Sequence, residues 1–335
     1  MIELCELRDA AQKVFPAGAL MPPRDASWRQ VTELGWLMLD LPEELGGLGL
    51  GRAAVATILL EMGKVLPSAP LAPALLALEA IVGAPSLPGR EDWIERICGG
   101  EYVPLNMLPG QLEGSADGRI SGIIAGVVEA DMATHVLAGT PDLYALIPLA
   151  APGVSVVERP LWDESRRLSD VVLDGFALPP ELVVARGSAA HALHDQLSIT
   201  AQMAIAADCL GGAAAVLALT IEYLGTRKQF DRPLAMFQAL KHRVADLKVA
   251  LTAAEALFWD RLAGDPTSLE MGAMKAHCAQ MFRAVTEEAI QLHGGIGLTQ
   301  EHPCHLFFKR AFLSCQLCGG IEYWEEAAGR AALAG

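Results

Sequence analysis

The stretch Gln291-Leu-His-Gly-Gly-Ile-Gly-Leu-Thr-Gln-Glu-His-Pro303 punctuates the last part of the chain, and its reading orders everything before it. A glycine pair that follows apolar residues at helical spacing is a strong helix stop, because glycine takes the left-handed conformation without steric cost. The helix it closes is striped by Met274, Cys278, Met281, Val285, Ala289 and Leu292. Thr267-Ser-Leu-Glu270 supplies a capping box at its start. Upstream, Phe237 to Leu262 sets Leu240, Val244, Leu247, Leu251, Ala254 and Phe258 on one stripe. Before that, Ser198 to Leu224 is apolar on nearly every face, the pattern of a helix buried on most sides within a bundle.

Further out the texture changes. From Tyr102 to about Val184 short β-rich runs alternate with Gly, Pro and Asp: Ile120 to Val128, His135 to Leu137, Leu143 to Pro148, Val154 to Val157 and Val171 to Leu173. That spacing predicts a small, mostly antiparallel sheet or barrel. Residues 5–98 read as helices, with Ala53 to Val65 at helical spacing after the interruption Gly46-Gly47-Leu48-Gly49. The expected organisation is a helical segment 1–98, a compressed β segment 99–186 and a helical bundle 187–335. The expected class is mostly α with a small central β domain.

Length and composition fit that plan. The chain has 335 residues, 52% of them apolar and 19% charged, enough for a large core spread over more than one domain. Its net charge of −15 argues against nucleic acid, whose affinity rests on Lys and Arg neutralising phosphates. It offers no basic face to anionic lipid either. The longest apolar stretches, such as Ser68 to Pro85, are broken by proline and carry Glu79, so no membrane span is expected. Met1 to Arg8 has acids where a signal peptide would be basic and then apolar. Seven cysteines, odd in number and irregularly spaced, read as reduced thiols of a cytoplasmic protein.

Three segments resemble one family. Leu34-Gly-Trp36 with Leu41-Pro-Glu-Glu-Leu-Gly-Gly-Leu-Gly-Leu50 and Glu61-Met-Gly-Lys64 looks like the N-terminal signature of acyl-CoA dehydrogenases. Thr226-Arg-Lys-Gln-Phe-Asp-Arg-Pro-Leu-Ala-Met-Phe-Gln238, followed by Ala245-Asp246, resembles the family's Arg and Phe three apart, then a Gln, then Ala-Asp. The 291–303 stretch is similar to its C-terminal motif. The resemblance implies the acyl-CoA dehydrogenase fold: an N-terminal helical domain, a middle β-barrel-like domain and a C-terminal four-helix bundle. It implies FAD, and it places Arg227, Phe230, Gln238, Gln291, Leu292, His293, Gly294 and Gly295 against the ADP end of an FAD held by a neighbouring subunit. The chemistry suits a dinucleotide. Arg227 offers a fixed positive fork to a pyrophosphate, and the glycine pair exposes backbone donors. Of His293 only the backbone counts with the turn.

Departures from the pattern carry as much information. The family's base, which removes the α-proton while hydride leaves the β-carbon, is a glutamate in a Tyr-Glu-Gly-Thr-like segment. Here that stretch reads Gln316-Leu-Cys-Gly-Gly-Ile-Glu322, with Cys318 in the Tyr place and Gly319 in the Glu place. Some members carry the base on the long helix instead, at positions matching Ala201 and Gln202, neither of which is acidic. Asp208, about two turns further along that helix, and Glu322, three positions late, are the remaining acids. The family's Thr-Glu-Pro-Gly-x-Gly-Ser-Asp-like flavin loop is replaced by Pro104 to Gly114, and no Lys-x-Trp-Ile-like segment follows in Ser121 to Asp131. Cys315-x-x-Cys318 lacks both the strand-to-helix context of a redox pair and the further ligands of a zinc site, so no metal is expected.

The favoured expectation is therefore a subunit of an FAD-dependent acyl-CoA dehydrogenase that acts on a bulky, steroid-type acyl-CoA. It contributes the ADP-side half of a cofactor site, while a homologous partner in an α2β2 assembly supplies the base and the flavin-ring pocket. An electron-transfer flavoprotein is the acceptor that the resemblance implies. Two alternatives stand beside it: a complete homomeric enzyme with Asp208 or Glu322 as base, and a flavin-free scaffold.

Overall fold

The computed structural model describes residues 3–108, 110–114 and 119–334. Pro109, inside the substituted flavin loop, lies outside them. The N-terminal segment contains α1 (Leu4–Val14), α2 (Arg24–Glu33), α3 (Arg52–Gly63), α4 (Leu71–Val82) and α5 (Arg90–Cys98). The middle segment holds β1 (Gln111–Gly114), β2 (Arg119–Val128), β3 (His135–Thr140), β4 (Leu143–Pro148), β5 (Val154–Arg159), β6 (Leu168–Ala177) and β7 (Val183–Arg186). Then come α6 (Ser188–Thr226), a short hairpin of β8 (Lys228–Gln229) and β9 (Arg232–Pro233), α7 (Gln238–Ala263), α8 (Ser268–His293), α9 (Cys304–Gln316) and α10 (Ile321–Ala334).

The strands pair antiparallel in two sheets, ordered β1-β2-β6-β5 and β3-β4-β7. Ile124 and Val127 of β2, Val136 and Ala138 of β3, Ile147 of β4 and Val171 of β6 share one buried core. The five runs expected from the sequence are β2 to β6. β1 and β7 escaped because they are four-residue edge strands with mostly exposed or half-buried residues, too short for an alternation to show.

α6 is the axis of the molecule. From Thr200 to Ala213 every residue is buried, with α3 and α4 on one side and α8 and α9 on others. α3 and α6 touch backbone to backbone. A Cβ on Gly211 would run into the Leu60 carbonyl, and one on Gly63 into the Asp208 carbonyl. By length and composition α6 could cross a bilayer, which the sequence reading did not anticipate. Its most apolar stretch is nonetheless 72% buried within the protein, as the central helix of a bundle requires.

The capping box of α8 forms as expected. The Glu270 N–H donates to Thr267 Oγ1 at 3.2 Å, and the Thr267 N–H donates to Glu270 Oε2 at 2.9 Å. The stripe on α7 is only half used. Leu251, Ala254 and Phe258 are buried, whereas Leu240, Val244 and Leu247 are half-covered and neighbouring Val249 is 68% exposed. The start of α7 thus offers solvent an apolar face that none of the described residues covers.

Candidate functional site

The residues expected to grip a dinucleotide gather where α6 ends, α7 begins and α8 stops. Arg227 follows the last turn of α6. Its N–H donates to the Tyr223 carbonyl at 2.8 Å, and its own carbonyl accepts from the Leu234 N–H at 2.8 Å. The guanidinium is exposed and makes no ion pair among the described residues. β8 and β9 close through Phe230 and Asp231, both at positive φ (52° and 62°), the signature of a two-residue type I′ turn. Non-glycine residues are uncommon there. The turn holds the Phe230 ring 85% exposed. Gln238, the first residue of α7, is exposed as well.

The 291–295 turn divides by direction. Gln291, Gly294 and Gly295 face solvent, whereas the side chains of Leu292 and His293 are buried. Leu292 and His293 therefore present backbone only to a ligand. Gly294 stands at φ 65°, and a Cβ on either glycine would meet open space. The turn is free to receive a group from outside the chain. Tyr223 ties the two halves of the grip together. Its ring stacks on His293 at 4.5 Å, and its hydroxyl donates to the His293 carbonyl at 3.2 Å. Burial keeps the His293 pKa below its usual value, and its Nδ1–H donates to the Ala289 carbonyl at 2.7 Å. Sequence reasoning missed Tyr223; its place one turn before Arg227 was the available signal.

A separate cleft of about 530 Å³ opens between the β domain and the helices. Asn106, Met107, Tyr144, Ala201, Cys318 and Trp324 are among its walls, and none of its described lining residues is a carboxylate. Ala201 offers a methyl group. Gln202 is buried, donating Nε2 to Ser198 Oγ at 2.7 Å. The turn between α9 and α10 passes through this cleft with Cys318 at φ 55° and Gly319 at φ 94°. A Cβ on Gly319 would fall 2.5 Å from Trp324 Nε1, and that indole donates to the Cys318 carbonyl at 3.0 Å. The space a Gly319 side chain would need is taken. Cys318 is the residue of this turn that brings a side chain to the cleft wall. Burial pushes its thiol up to about 11, against the opposing charges of Lys275 and Arg166. Such a thiol is a poor proton acceptor near neutrality. Lys275, fully buried on α8, fastens the turn from below by donating to the Gly319 carbonyl at 2.7 Å.

The two remaining acids are placed elsewhere. Asp208 accepts two bonds from Arg310 Nη1, at 3.0 and 3.2 Å, and lies 3.2 Å from Arg166. Burial raises its pKa, but the two guanidinium charges outweigh burial and hold it below the usual carboxylate range. Arg310, 1% exposed, also meets Asp163 and Ser165, so the cluster pins the β5–β6 connection to α6 and α9. Glu322 is exposed on the first turn of α10 and does not line the cleft. Cys315 and Cys318 diverge. Cys315 Sγ points to the Ala279 carbonyl at 3.8 Å, and all seven cysteines are free. No metal-holding group of His, Cys, Asp and Glu occurs among the described residues.

Comparison with known proteins gives this geometry its context. Residues 6–101 match the family model described as acyl-CoA dehydrogenase, N-terminal domain, and residues 200–322 match that of the C-terminal domain. Acyl-CoA dehydrogenase IpdE2 of Mycolicibacterium smegmatis is 34% identical over 302 residues, covering 87% of this chain and 83% of that protein. The chain belongs to the acyl-CoA dehydrogenase family. IpdE2 of Mycobacterium tuberculosis is 33% identical over 296 residues, covering 88% of this chain and 82% of its own length. Among solved structures, the Tcur3481-Tcur3483 steroid ACAD G363A variant superposes with a TM-score of 0.84 at 27% identity, covering 98% of this chain and 96% of that one. The ChsE4-ChsE5 complex from M. tuberculosis shares the fold, with a TM-score of 0.85 at 24% identity and 98% and 95% coverage. FAD is the cofactor of homologues in this family. The grip residues all fall within the C-terminal match.

Proposed function

We propose that this chain is the cofactor-completing subunit of a heteromeric acyl-CoA dehydrogenase. The observation that carries the reading is the pairing of a free, exposed grip with a cleft that no carboxylate lines among the described residues. FAD, when bound, supplies the hydride acceptor for α,β-dehydrogenation of the acyl-CoA thioester. This chain's share is binding. Arg227 faces the pyrophosphate, Gln238 and Gln291 offer amides, Phe230 covers the adenine end, and the 293–295 backbone closes on the phosphates. The exposed grip suits an FAD seated in a neighbouring subunit, and that homologous partner brings the base and the flavin-ring pocket. Asp208 is committed to two arginines and Glu322 points away from the cleft, so neither serves as base.

An α2β2 assembly is the simplest arrangement in which each grip finds a partner. The similarity to a steroid ACAD and to the two-protein ChsE4-ChsE5 complex supports a bulky steroid-type acyl group and a heteromeric assembly. An electron-transfer flavoprotein is the expected acceptor. Co-expression with a homologous dehydrogenase subunit from the same genome tests the reading. The expected product is a yellow complex of both chains that oxidises acyl-CoA, with Arg227→Ala in this chain stripping the flavin. A stable homo-oligomer of this chain alone, fully loaded with FAD and active, would contradict it.

A further inference from the structure

A second cavity, of about 470 Å³, lies at the junction of the loop after α2, the helices α3, α4 and α6, and the α7–α8 connection. It sits on the face of α6 opposite the cleft. Gln196, Thr200 and Met203 turn towards it, while His194, Leu197, Ser198 and Ala201 turn towards the cleft. The body of the cavity is apolar, walled by Leu37, Leu75, Leu78 and Met203. Its polar groups collect at one place. Glu79 Oε1 accepts from Gln196 Nε2 at 2.9 Å and lies 3.5 Å from Arg52, and its other oxygen accepts no hydrogen bond among the described residues. Thr200, 7% exposed, faces that carboxylate closely enough to help hold its pKa down, yet its hydroxyl completes no well-formed hydrogen bond among the described residues. Asp40 adds a second carboxylate to the wall. Burial holds both acids above the ordinary carboxylate range, opposed by Thr200, Gln196 and Arg52 at Glu79 and by Arg52 at Asp40.

A buried hydroxyl without a well-formed hydrogen bond is unfavourable, so a group that bonds it and the open carboxylate oxygen is favoured there. With two carboxylates against one arginine, the missing group is a proton donor. We infer that this cavity is a small-molecule site distinct from the cofactor grip and the cleft. It takes a compact apolar body carrying one hydrogen-bond-donating head, an ammonium or a hydroxyl, received by Glu79 and Thr200. The size is within the range of ordinary ligand pockets.

The test uses the flavin-loaded complex, titrated calorimetrically with 1-adamantylamine, 1-adamantanol and adamantane-1-carboxylate. Saturable binding of the amine or the alcohol, one per chain, is expected, with the carboxylate about tenfold weaker or silent. Tighter binding of the amine identifies an ammonium head, and tighter binding of the alcohol a hydroxyl. Glu79→Gln keeps the shape of the wall and should weaken the bound probe about tenfold. Val82→Phe, which fills the rim, should abolish binding. The inference is overturned if no probe binds, if the carboxylate binds as tightly as the donors, or if Glu79→Gln leaves affinity unchanged. Flavin content, read in the same samples, reports separately on the proposed role in the dehydrogenase.

Discussion

At Gly319 the backbone stands in a conformation that side chains rarely adopt, and the Trp324 indole fills the space where a Cβ would go. Gly319→Ala is expected to lower the stability of the complex by about 1–3 kcal/mol, read as a fall in melting temperature. In a Trp324→Ala background part of that loss should disappear, because the two residues compete for one volume. Asp208 makes the opposite kind of prediction. Asp208→Asn leaves half-buried Arg166 without a charge partner among the described residues and leaves buried Arg310 with Asp163 alone. It should cost about 3 kcal/mol in thermal or chemical unfolding. The depressed folded pKa of Asp208 fixes the sign of its pH dependence. Its contribution is complete above the unfolded value of about 4 and is lost as pH falls through the lower folded value. Acid unfolding of Asp208→Asn should therefore lack that component, and an unaltered acid transition would refute the assignment.

Among elements, the end of α6 and the end of α8 act together through Tyr223. Tyr223→Phe removes the hydroxyl that holds the His293 carbonyl while keeping the ring on the imidazole. Flavin affinity of the complex should fall severalfold, about 0.5–1.5 kcal/mol, with the melting temperature of the apo-complex nearly unchanged. Arg227→Ala removes a charged partner and should cost more, about 1.5–3 kcal/mol. Equal flavin affinity in wild type and Arg227→Ala would remove the pyrophosphate role. The half-used stripe of α7 predicts an interface: Val249→Asp should weaken association between chains in sedimentation while leaving the fold intact.

Helices were the most legible elements. Thr267, Glu270 and the glycine pair mark both ends of α8 in the sequence itself, because caps and stops are local chemistry. Strands β1 and β7 were hidden because pairing, not pattern, makes them. The residues proposed to hold the cofactor were legible as a spacing, and the structure brings them together where α6 ends, α7 begins and α8 stops. Tyr223, Trp324 and Lys275 were not, since each acts through a contact of 3.2 Å or less with a carbonyl remote in sequence or across a turn. The pairing of Asp208 with Arg310, 102 residues away, was invisible for the same reason.

On the scale of the whole molecule, the proposed function separates two tasks, holding the cofactor and accepting the substrate proton. The residues proposed to hold the cofactor are exposed at the far end of α6 from the cleft, and the described lining of that cleft holds no carboxylate. Under the proposed function this subunit would depend on a partner for the base, and the partner on it for holding FAD. The most direct test is acyl-CoA oxidation by this chain purified alone, supplied with saturating FAD, beside the complex of this chain with its homologous subunit. The account predicts turnover by the complex and none by the chain alone. Turnover by the chain alone would contradict it.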